Sequence, residues 1–283
     1  MEARPAPCYR RPAMSAAQTQ PFGDLLREWR RRRRMSQLDL AVEADISTRH
    51  LSFVETGRAR PSREMVVRLA EQLEVPLRER NLLLVAAGYA PVFPERPLED
   101  PALRTAREAV RLVLAGHEPY PAIAIDRHWT LAAANRTVAP LLAGSDPALL
   151  RPPVNVLRLS LHPAGLAPRI ANFEEWRAHL LARLRRQVEL TADASLGGLL
   201  KELAGYPPPG GGPHARPPAD PAYGGVVIPF QLATDAGTLS FISTTTVFGT
   251  PVDVTLSELA IESFFPADAA TAEALRRLAA ATD

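Results

Sequence analysis

The chain has 283 residues, of which 46% are hydrophobic and 23% are charged. This composition is ordinary for a globular protein and excludes global disorder, and the length is sufficient for two separate hydrophobic cores. The net charge is only +2, so the chain as a whole is neither strongly basic nor strongly acidic. We therefore expect two domains with a boundary between them.

The single cysteine, Cys8, excludes an intrachain disulfide and a cysteine-rich zinc site. No stretch reaches the roughly 18 consecutive apolar residues of a membrane span, and residues 1–20 lack the apolar core of a signal peptide. Those residues are rich in proline and arginine, which predicts a disordered leader. The expected location is the cytoplasm, with no membrane partner.

Charge is distributed unevenly along the chain. Residues 1–90 contain 16 arginines and 11 acidic residues, whereas the remainder has a net charge of −3. A cationic N-terminal part favours a polyanionic partner, although a solvated basic helix face explains the charge equally well.

Two helices are predicted at the start of this cationic part. Residues 22–33 form an amphipathic pattern with a basic outer face. The apolar face of this helix comprises Phe22, Leu25, Leu26 and Trp29. Ser36 can cap a second helix, with Asp39 in the first turn where the helix dipole favours negative charge. Its side chains expected to face inward are Leu38, Ala41 and Val42.

A third helix, residues 47–55, follows after a turn of about three residues. Ser47 can cap it, and Leu51 and Val54 are its inward positions. Two short helices joined this tightly form a helix-turn-helix, whose second helix enters the major groove of DNA. The outward positions expected to read base edges are Thr48, Arg49, Ser52 and Phe53.

Each of these side chains has a suitable chemistry. Arg49 can bond both acceptors of a guanine, Thr48 and Ser52 can bond bases or phosphates, and Phe53 can touch a thymine methyl group. An alternative for Phe53 is that it packs inward.

The segment after the third helix predicts phosphate contacts. Gly57 can adopt the left-handed conformation that stops a helix, and Arg58 and Arg60 are spaced to meet phosphates along one strand. Ser62 and Pro76 then open a fourth and a fifth helix. The result is an all-α domain of five helices over residues 21–90.

Residues 22–80 resemble the phage-repressor-like, Cro-type (XRE) family of lambda-repressor-like helix-turn-helix regulators. The resemblance implies that Gln37 contacts a phosphate and that Thr48, Arg49 and Phe53 match base-contacting positions. Such domains usually bind pseudo-palindromic operators as homodimers. Asp45 stands where the family usually has glycine; aspartate tolerates a left-handed backbone, so the turn is expected to survive. The matching residues are Ser36, Gln37, Leu40, Ala41, Glu55, Gly57 and Pro61.

Prolines and a glycine predict a linker over residues 91–101 and a second domain over residues 102–283. A helix over residues 102–115 can join the two domains. Residues 122–125 and 129–134 then read as a β-hairpin. Asn135 ends the hairpin and can cap a helix over residues 136–142, an order similar to the opening of a PAS domain.

Helices are expected between residues 154 and 203, including one over residues 173–189. Residues 206–223 hold seven prolines and three consecutive glycines, which predicts a mobile loop. Strands are predicted over residues 226–232 and 239–248. Residues 259–265 form a third strand or a helix, and Asp268 caps a last helix.

One face of the strand over residues 239–248 mixes large apolar residues with small hydroxyls, as a ligand pocket requires; alternatively, the hydroxyls bond only within the sheet. The segments NVLRLSLHPAGLAPRIANFEEW and STTTVFGTPVDVTLSELAIESFFPAD resemble the MmyB-like ligand-binding domain, over residues 103–281. The resemblance implies a PAS-like α/β sensor domain, and an α+β class overall, with an apolar cavity suited to a fatty acid or similar molecule. The pocket residues expected from the pattern are Trp176, Phe230, Phe241, Thr245 and Phe248.

No sequence motif indicates catalysis. HExxH, GxSxG, a phosphate-binding glycine loop and a dinucleotide fingerprint are all missing from the sequence, so we predict no enzyme, cofactor or metal site. The main hypothesis is a transcriptional regulator that binds double-stranded DNA and whose operator affinity responds to an apolar effector. The alternatives are a second domain that serves only dimerisation or protein interaction, and an enzyme that also binds DNA.

Overall fold

The computed structural model describes residues 20–191, 193–209, 227–235 and 237–280. The chain divides into two compact units, the first ending at Val92 and the second beginning at Phe93. The predicted leader, apart from Gln20, and residues 210–223 of the predicted loop lie outside the described residues, as does the first residue of the strand predicted over residues 226–232.

The first unit contains five helices around one leucine-rich core. Their bounds are α1 Phe22–Arg32, α2 Gln37–Glu43, α3 Thr48–Glu55, α4 Arg63–Gln72 and α5 Leu77–Ala86. Serine side chains cap three of them, because Ser36, Ser47 and Ser62 each accept a hydrogen bond from a backbone amide in the first turn. Ser36 and Asp39 complete a reciprocal capping box. The five-helix prediction is confirmed.

Tight turns connect these helices. Asp45 has a φ of 52° between α2 and α3, and Gly57 has a φ of 73° after α3, so both adopt the left-handed backbone that the sequence predicted there. The prediction for the inward face of α2 was wrong in part. Leu38 and Val42 are 61% and 71% exposed, because this seven-residue helix instead buries Leu40 and Ala41.

The second unit combines helices with a five-stranded antiparallel sheet of order β2-β1-β5-β4-β3, which confirms the α+β class. The strands are β1 Ala122–Ile125, β2 Leu131–Ala134, β3 Phe230–Thr234, β4 Gly237–Val247 and β5 Ala260–Pro266. The helices are α6 Arg104–Gly116, α7 Val156–Leu161, α8 Phe173–Thr191, α9 Ala194–Ala204, α10 Val254–Ser257 and α11 Ala269–Ala280. The segment for which strand and helix were both open is therefore the strand β5.

The two faces of the sheet pack against different helices. Ile125 of β1 and Phe241 of β4 join a core shared with α7, α8 and α9. Ala122 and Ala124 of β1 face the other way and cluster with Val110 and Leu114 of α6. This alternation follows from the two-residue period of a strand.

Asn135 ties α6 to the sheet rather than capping a regular helix. It is buried, and its amide nitrogen donates to the carbonyls of Leu114 and Tyr120 at 3.1 and 2.7 Å. Its Oδ1 accepts from the backbone amide of Ala122 at 3.1 Å. The predicted helix over residues 136–142 is reduced to a 3-10 turn, Ala139–Leu142.

Part of the segment predicted as a linker is bonded to the second unit. Arg96 donates to Asp253 Oδ2 at 2.8 Å, and the hydroxyl of Thr255 donates to the Arg96 carbonyl at 2.6 Å. The amide of Val254 donates to the carbonyl of Pro94 at 2.8 Å. These three bonds hold the segment against the start of α10.

Candidate DNA-contact surface and ligand cavity

Helix α3 presents a polar outer surface. Leu51, Val54 and Glu55 form its buried face. The predicted base-reading side chains occupy the other positions of the helix and face outward. Arg49 is exposed, and its guanidinium lies over the Phe53 ring at 5.4 Å. The other predicted base-reading side chains are partly exposed: Thr48, Ser52 and Phe53.

The predicted phosphate contacts lie on either side of α3 in the sequence. Arg58 and Arg60 are exposed, and the amide of Arg58 donates to the Phe53 carbonyl at 2.8 Å. Gln37 opens α2, and its amide nitrogen donates to Glu55 Oε2 at 2.8 Å. Within the described part of the chain, the other hydrogen of that amide and its carbonyl oxygen have no partner, so both can bond a further group.

A buried ion pair fixes α3 against α1. Arg30 donates to both carboxylate oxygens of Glu55, at 2.7 and 3.0 Å, and Arg27 donates to the Glu55 carbonyl at 3.2 Å. Burial alone would raise the pKa of Glu55, but hydrogen bonds from Arg30 and Gln37 outweigh burial, so the pKa is lowered.

Sequence reasoning missed this ion pair. A signal was present, because Arg30 follows Phe22, Leu26 and Trp29 at the spacing of the buried face of α1. An arginine on a buried face needs a partner, and Glu55 supplies it.

The second unit contains a cavity of about 130 Å³ between the sheet and helices α7 and α8. Its walls are apolar side chains except for Ser160, Arg183 and Glu262. The large aromatic wall residues are Trp129, Trp176, Phe230, Phe241 and Phe264. A concave site with apolar walls and few polar groups is typical of small-molecule binding.

Three of the five residues predicted for a pocket line this cavity. The rings of Trp176 and Phe230 are 5.0 Å apart, and Phe230 stacks on Phe241 at 5.9 Å. The other two do not line it. Thr245 is exposed beyond the cavity, and Phe248 packs near the α6 side of the sheet, since it is an odd number of residues from Phe241.

The polar residues of the cavity form a connected group. Arg183 of α8 pairs with Glu262 of β5 and donates to Thr245 Oγ1 at 2.9 Å. The Thr245 hydroxyl donates to Glu262 Oε1 at 2.9 Å. The Arg183 guanidinium also lies 4.7 Å from the centre of the Trp129 ring, so cation–π attraction helps to hold it.

Near this group, His179 stacks on Trp176 at 5.4 Å. Burial, and then the positive charge of Arg183, lower the pKa of His179. It is therefore neutral near pH 7. The Trp176 indole donates to the Ser160 hydroxyl oxygen at 3.1 Å.

Within the described ranges, no cluster of three or more histidine, cysteine, aspartate or glutamate side chains is arranged to hold a metal ion. Across the same part of the chain, every helix is too short or too polar to span a membrane.

Comparisons with known proteins agree with the division of the chain into two units. Residues 21–83 match a helix-turn-helix domain family. The chain is 41% identical over 76 residues to the uncharacterized HTH-type transcriptional regulator RghRB of Bacillus subtilis, covering 26% of this chain and 52% of that protein. It is 36% identical over 116 residues to a protein of Methanoculleus marisnigri named as an HTH-type transcriptional regulatory protein, covering 39% and 37% of the two chains. The matched regions thus span about half or less of these curated relatives.

The second unit is matched over most of its length. Residues 106–278, more than half of the whole chain, match the MmyB-like transcription regulator ligand binding domain. With a helix-turn-helix domain before it, the chain belongs to the family of MmyB-like transcription regulators.

Proposed function

We propose that this protein is a sequence-specific DNA-binding transcriptional regulator, working in the cytoplasm, whose operator affinity responds to an apolar small molecule bound in the second unit. The observation that carries the proposal is the pairing, in one chain, of an outward-facing α3 with a cavity lined almost entirely by apolar side chains. The first feature suits a major groove, and the second suits a small effector.

The DNA-reading scheme follows from exposure and chemistry. Arg49 reads a guanine through its two forward donors, with Thr48 and Ser52 beside it and Phe53 against a thymine methyl group. The side chains proposed to hold phosphates are Gln37, Arg58 and Arg60. Because the Phe53 ring lies beneath the Arg49 guanidinium, it also restricts the directions in which Arg49 reaches.

The operator is proposed to be a pseudo-palindrome bound by a homodimer, because one α3 contacts only one half-site. The half-sites are then expected about one helical turn apart, or a multiple of it, on one face of the duplex. Selection of bound sequences from a random pool, followed by measurement of the stoichiometry on the selected site, tests both expectations. Recovery of unrelated single half-sites bound by one chain would contradict the dimer.

The effector is proposed to act by binding two conformations of the protein unequally, since a ligand shifts DNA affinity only by its differential affinity for them. A fatty-acid-like molecule is the effector that the MmyB-like resemblance favours. The test is operator affinity measured across a library of apolar compounds, with thermal stability followed in parallel. If neither quantity changes for any compound, effector sensing is refuted while DNA binding stands.

A second candidate is that the second unit serves dimerisation alone. The outer face of α6 favours it, because Leu112 and Val113 are 73% and 46% exposed and can pack against a second copy. Substituting both with glutamate separates the candidates. A role in dimerisation predicts monomers that bind the operator weakly, whereas compound binding in the cavity is expected to survive if sensing is a separate property.

A further inference from the structure

We propose that the turn between β1 and β2, residues 126–130, couples the cavity of the second unit to residues 94–96, the segment through which the chain enters that unit from the helix-turn-helix unit. The inference rests on the proposed effector-binding role and adds a route by which the state of the cavity reaches this segment. Both ends of the route lie on one short turn, because Trp129 lines the cavity while Arg127 pairs with acidic residues beside α9 and α10.

Trp129 is the residue of the turn that faces the cavity. It is 6% exposed, and its φ of 65° lies in the left-handed region, which is unfavourable for a bulky side chain. Its surroundings hold it there, since its amide donates to the Asp126 carbonyl at 3.0 Å and its indole donates to Gln187 Oε1 at 2.8 Å. A backbone held in a strained conformation relaxes when the contacts that hold it change. The turn therefore has a second arrangement to adopt.

The same turn is bonded to two helices beyond the cavity. Gln187 of α8 donates to the Arg127 carbonyl at 2.8 Å. The Arg127 guanidinium lies 3.2 Å from Asp193 Oδ2 and 3.6 Å from Glu258 Oε2, and His128 Nε2 lies 2.8 Å from the same oxygen of Asp193. Asp193 caps the start of α9, and Glu258 is the last residue at the end of α10. These side chains are mostly buried, so solvent screens their charges less than on an open surface.

Helix α10 in turn holds residues 94–96. Asp253, Val254 and Thr255 each make one hydrogen bond to this segment. The Asp253 side chain is 3% exposed, so its bond is shielded from solvent. Since the first unit ends at Val92, the segment is the covalent path to the DNA-binding unit. A shift of α10 therefore changes how firmly the second unit holds that path.

The test fills the cavity by mutation of the full chain and needs no ligand. Leu180→Trp, or the smaller Leu180→Phe, adds atoms to the cavity from α8, where they compete with Trp129 for space. Hydrogen exchange of the Val254 amide, which bonds the Pro94 carbonyl, reports whether α10 still holds the segment. Its rate is taken relative to that of the Ser240 amide of β4, which reports loosening of the whole unit. We expect exchange to become about fivefold faster, the effect of one ordinary hydrogen bond lost from the closed state.

Arg127→Met removes the charged contacts of the turn and should by itself accelerate exchange of the Val254 amide. Filling the cavity in this background should then change the rate by less than about twofold, because both substitutions act on the same contacts and are not additive. The matched control is Arg185→Met, an exposed arginine of α8, in which filling the cavity should keep its full effect. Circular dichroism and denaturant titration verify that each variant folds.

Gln187→Met tests the turn without a change in charge or in the cavity. It removes the bonds to the Trp129 indole and to the Arg127 carbonyl, so exchange of the Val254 amide should again become faster. Unchanged exchange in this variant would overturn the role of the turn. The inference also fails if filling the cavity changes the rate equally in the wild type and in Arg127→Met, or in neither. Effector and operator binding stand in all these cases, because the compound library tests them separately.

Discussion

Arg49 and Arg58 are both exposed arginines of the first unit, but they are proposed to reach different parts of the duplex. Arg49→Ala is expected to cost about 1–3 kcal/mol on the operator and to relax base preference at one position. Arg58→Ala is expected to weaken all sequences alike and to lower the salt dependence of binding. Titrations on operator and random DNA at several salt concentrations measure both. Equal losses on the two DNAs for Arg49→Ala would refute base reading by that residue.

Glu55 supports α3 from behind, because its carboxylate accepts two hydrogen bonds from Arg30 inside the core. Glu55→Ala leaves the Arg30 guanidinium buried and unpaired, and the expected loss is about 3–5 kcal/mol of unfolding free energy. The matched control is Glu28→Ala, which breaks the exposed pair with Arg32 on the same helix and should cost about 0–1 kcal/mol. Denaturant titration measures both variants; similar losses would show that burial of the Glu55 pair does not matter.

The same carboxylate predicts a pH dependence. The pKa of Glu55 is lowered in the folded protein from its ordinary value of 4.5, so folding favours the charged form. Its stabilising contribution is complete above that ordinary value and is lost as pH falls through the lowered pKa. Unfolding free energy measured between pH 7 and 3 should therefore decline more steeply in the wild type than in Glu55→Gln. Parallel curves would contradict this assignment.

At the scale of elements, two glycines in helices predict opposite effects of the same substitution. A Cβ on Gly23 of α1 would lie 2.4 Å from the Glu55 carbonyl oxygen, whereas a Cβ on Gly198 of α9 meets nothing within 4 Å. Gly23→Ala should destabilise by about 1–3 kcal/mol, because α1 and α3 must separate. Gly198→Ala should stabilise by about 0.5–1 kcal/mol. Denaturant midpoints of the two variants decide the matter, and stabilisation by Gly23→Ala would show that the close contact is absent.

Local signals were sufficient for most elements. Ser36, Ser47 and Ser62 marked helix starts because capping is decided within four residues of sequence. The inward face of α2 could not be predicted in the same way. In so short a helix, apolar Leu38 and Val42 fit one face as well as Leu40 and Ala41 do, and only packing against neighbouring helices selects between them.

The candidate cavity was predictable only in part. The aromatic residues of the two predicted strands indicated Phe230 and Phe241, which do line it. Thr245 shares the strand face of Phe241 but lies past the end of the cavity. How far the covering helices extend along β4 sets where the cavity ends, and the sequence of β4 does not reveal it. Arg183 and Glu262 come from separate elements of the chain, so their pairing follows from the sheet order and the packing of α8, neither of which is a local property.

At the scale of the whole molecule, a variant whose cavity cannot be occupied tests whether the state of the cavity changes operator affinity. Leu180→Trp fills the space, because Leu180 lines the cavity from α8. The matched control is Leu190→Trp near the end of the same helix, where the side chain is 44% exposed. We expect the operator affinity of the control to change by roughly 5–150-fold, the usual range of allosteric coupling, with a compound from the apolar library that binds the wild type.

In Leu180→Trp the operator affinity should be the same with and without that compound, and the compound should no longer raise the melting temperature. The wild type at 100 times its Kd for the compound should gain about 2.7 kcal/mol of unfolding free energy. An undiminished response to the compound in Leu180→Trp would place the effector site elsewhere.

Strand β1 lies between the cavity and helix α6. Ile123 lines the cavity, while Ala122 and Ala124 contact the apolar side of α6. Among the described residues, no second layer of side chains lies between the cavity and that helix. Residues that face the cavity side and residues that contact α6 therefore alternate along the four residues of β1. A substitution at Ile123 therefore alters the wall of the cavity, whereas a substitution at Ala124 alters the contact with α6, so the two surfaces of β1 can be changed separately.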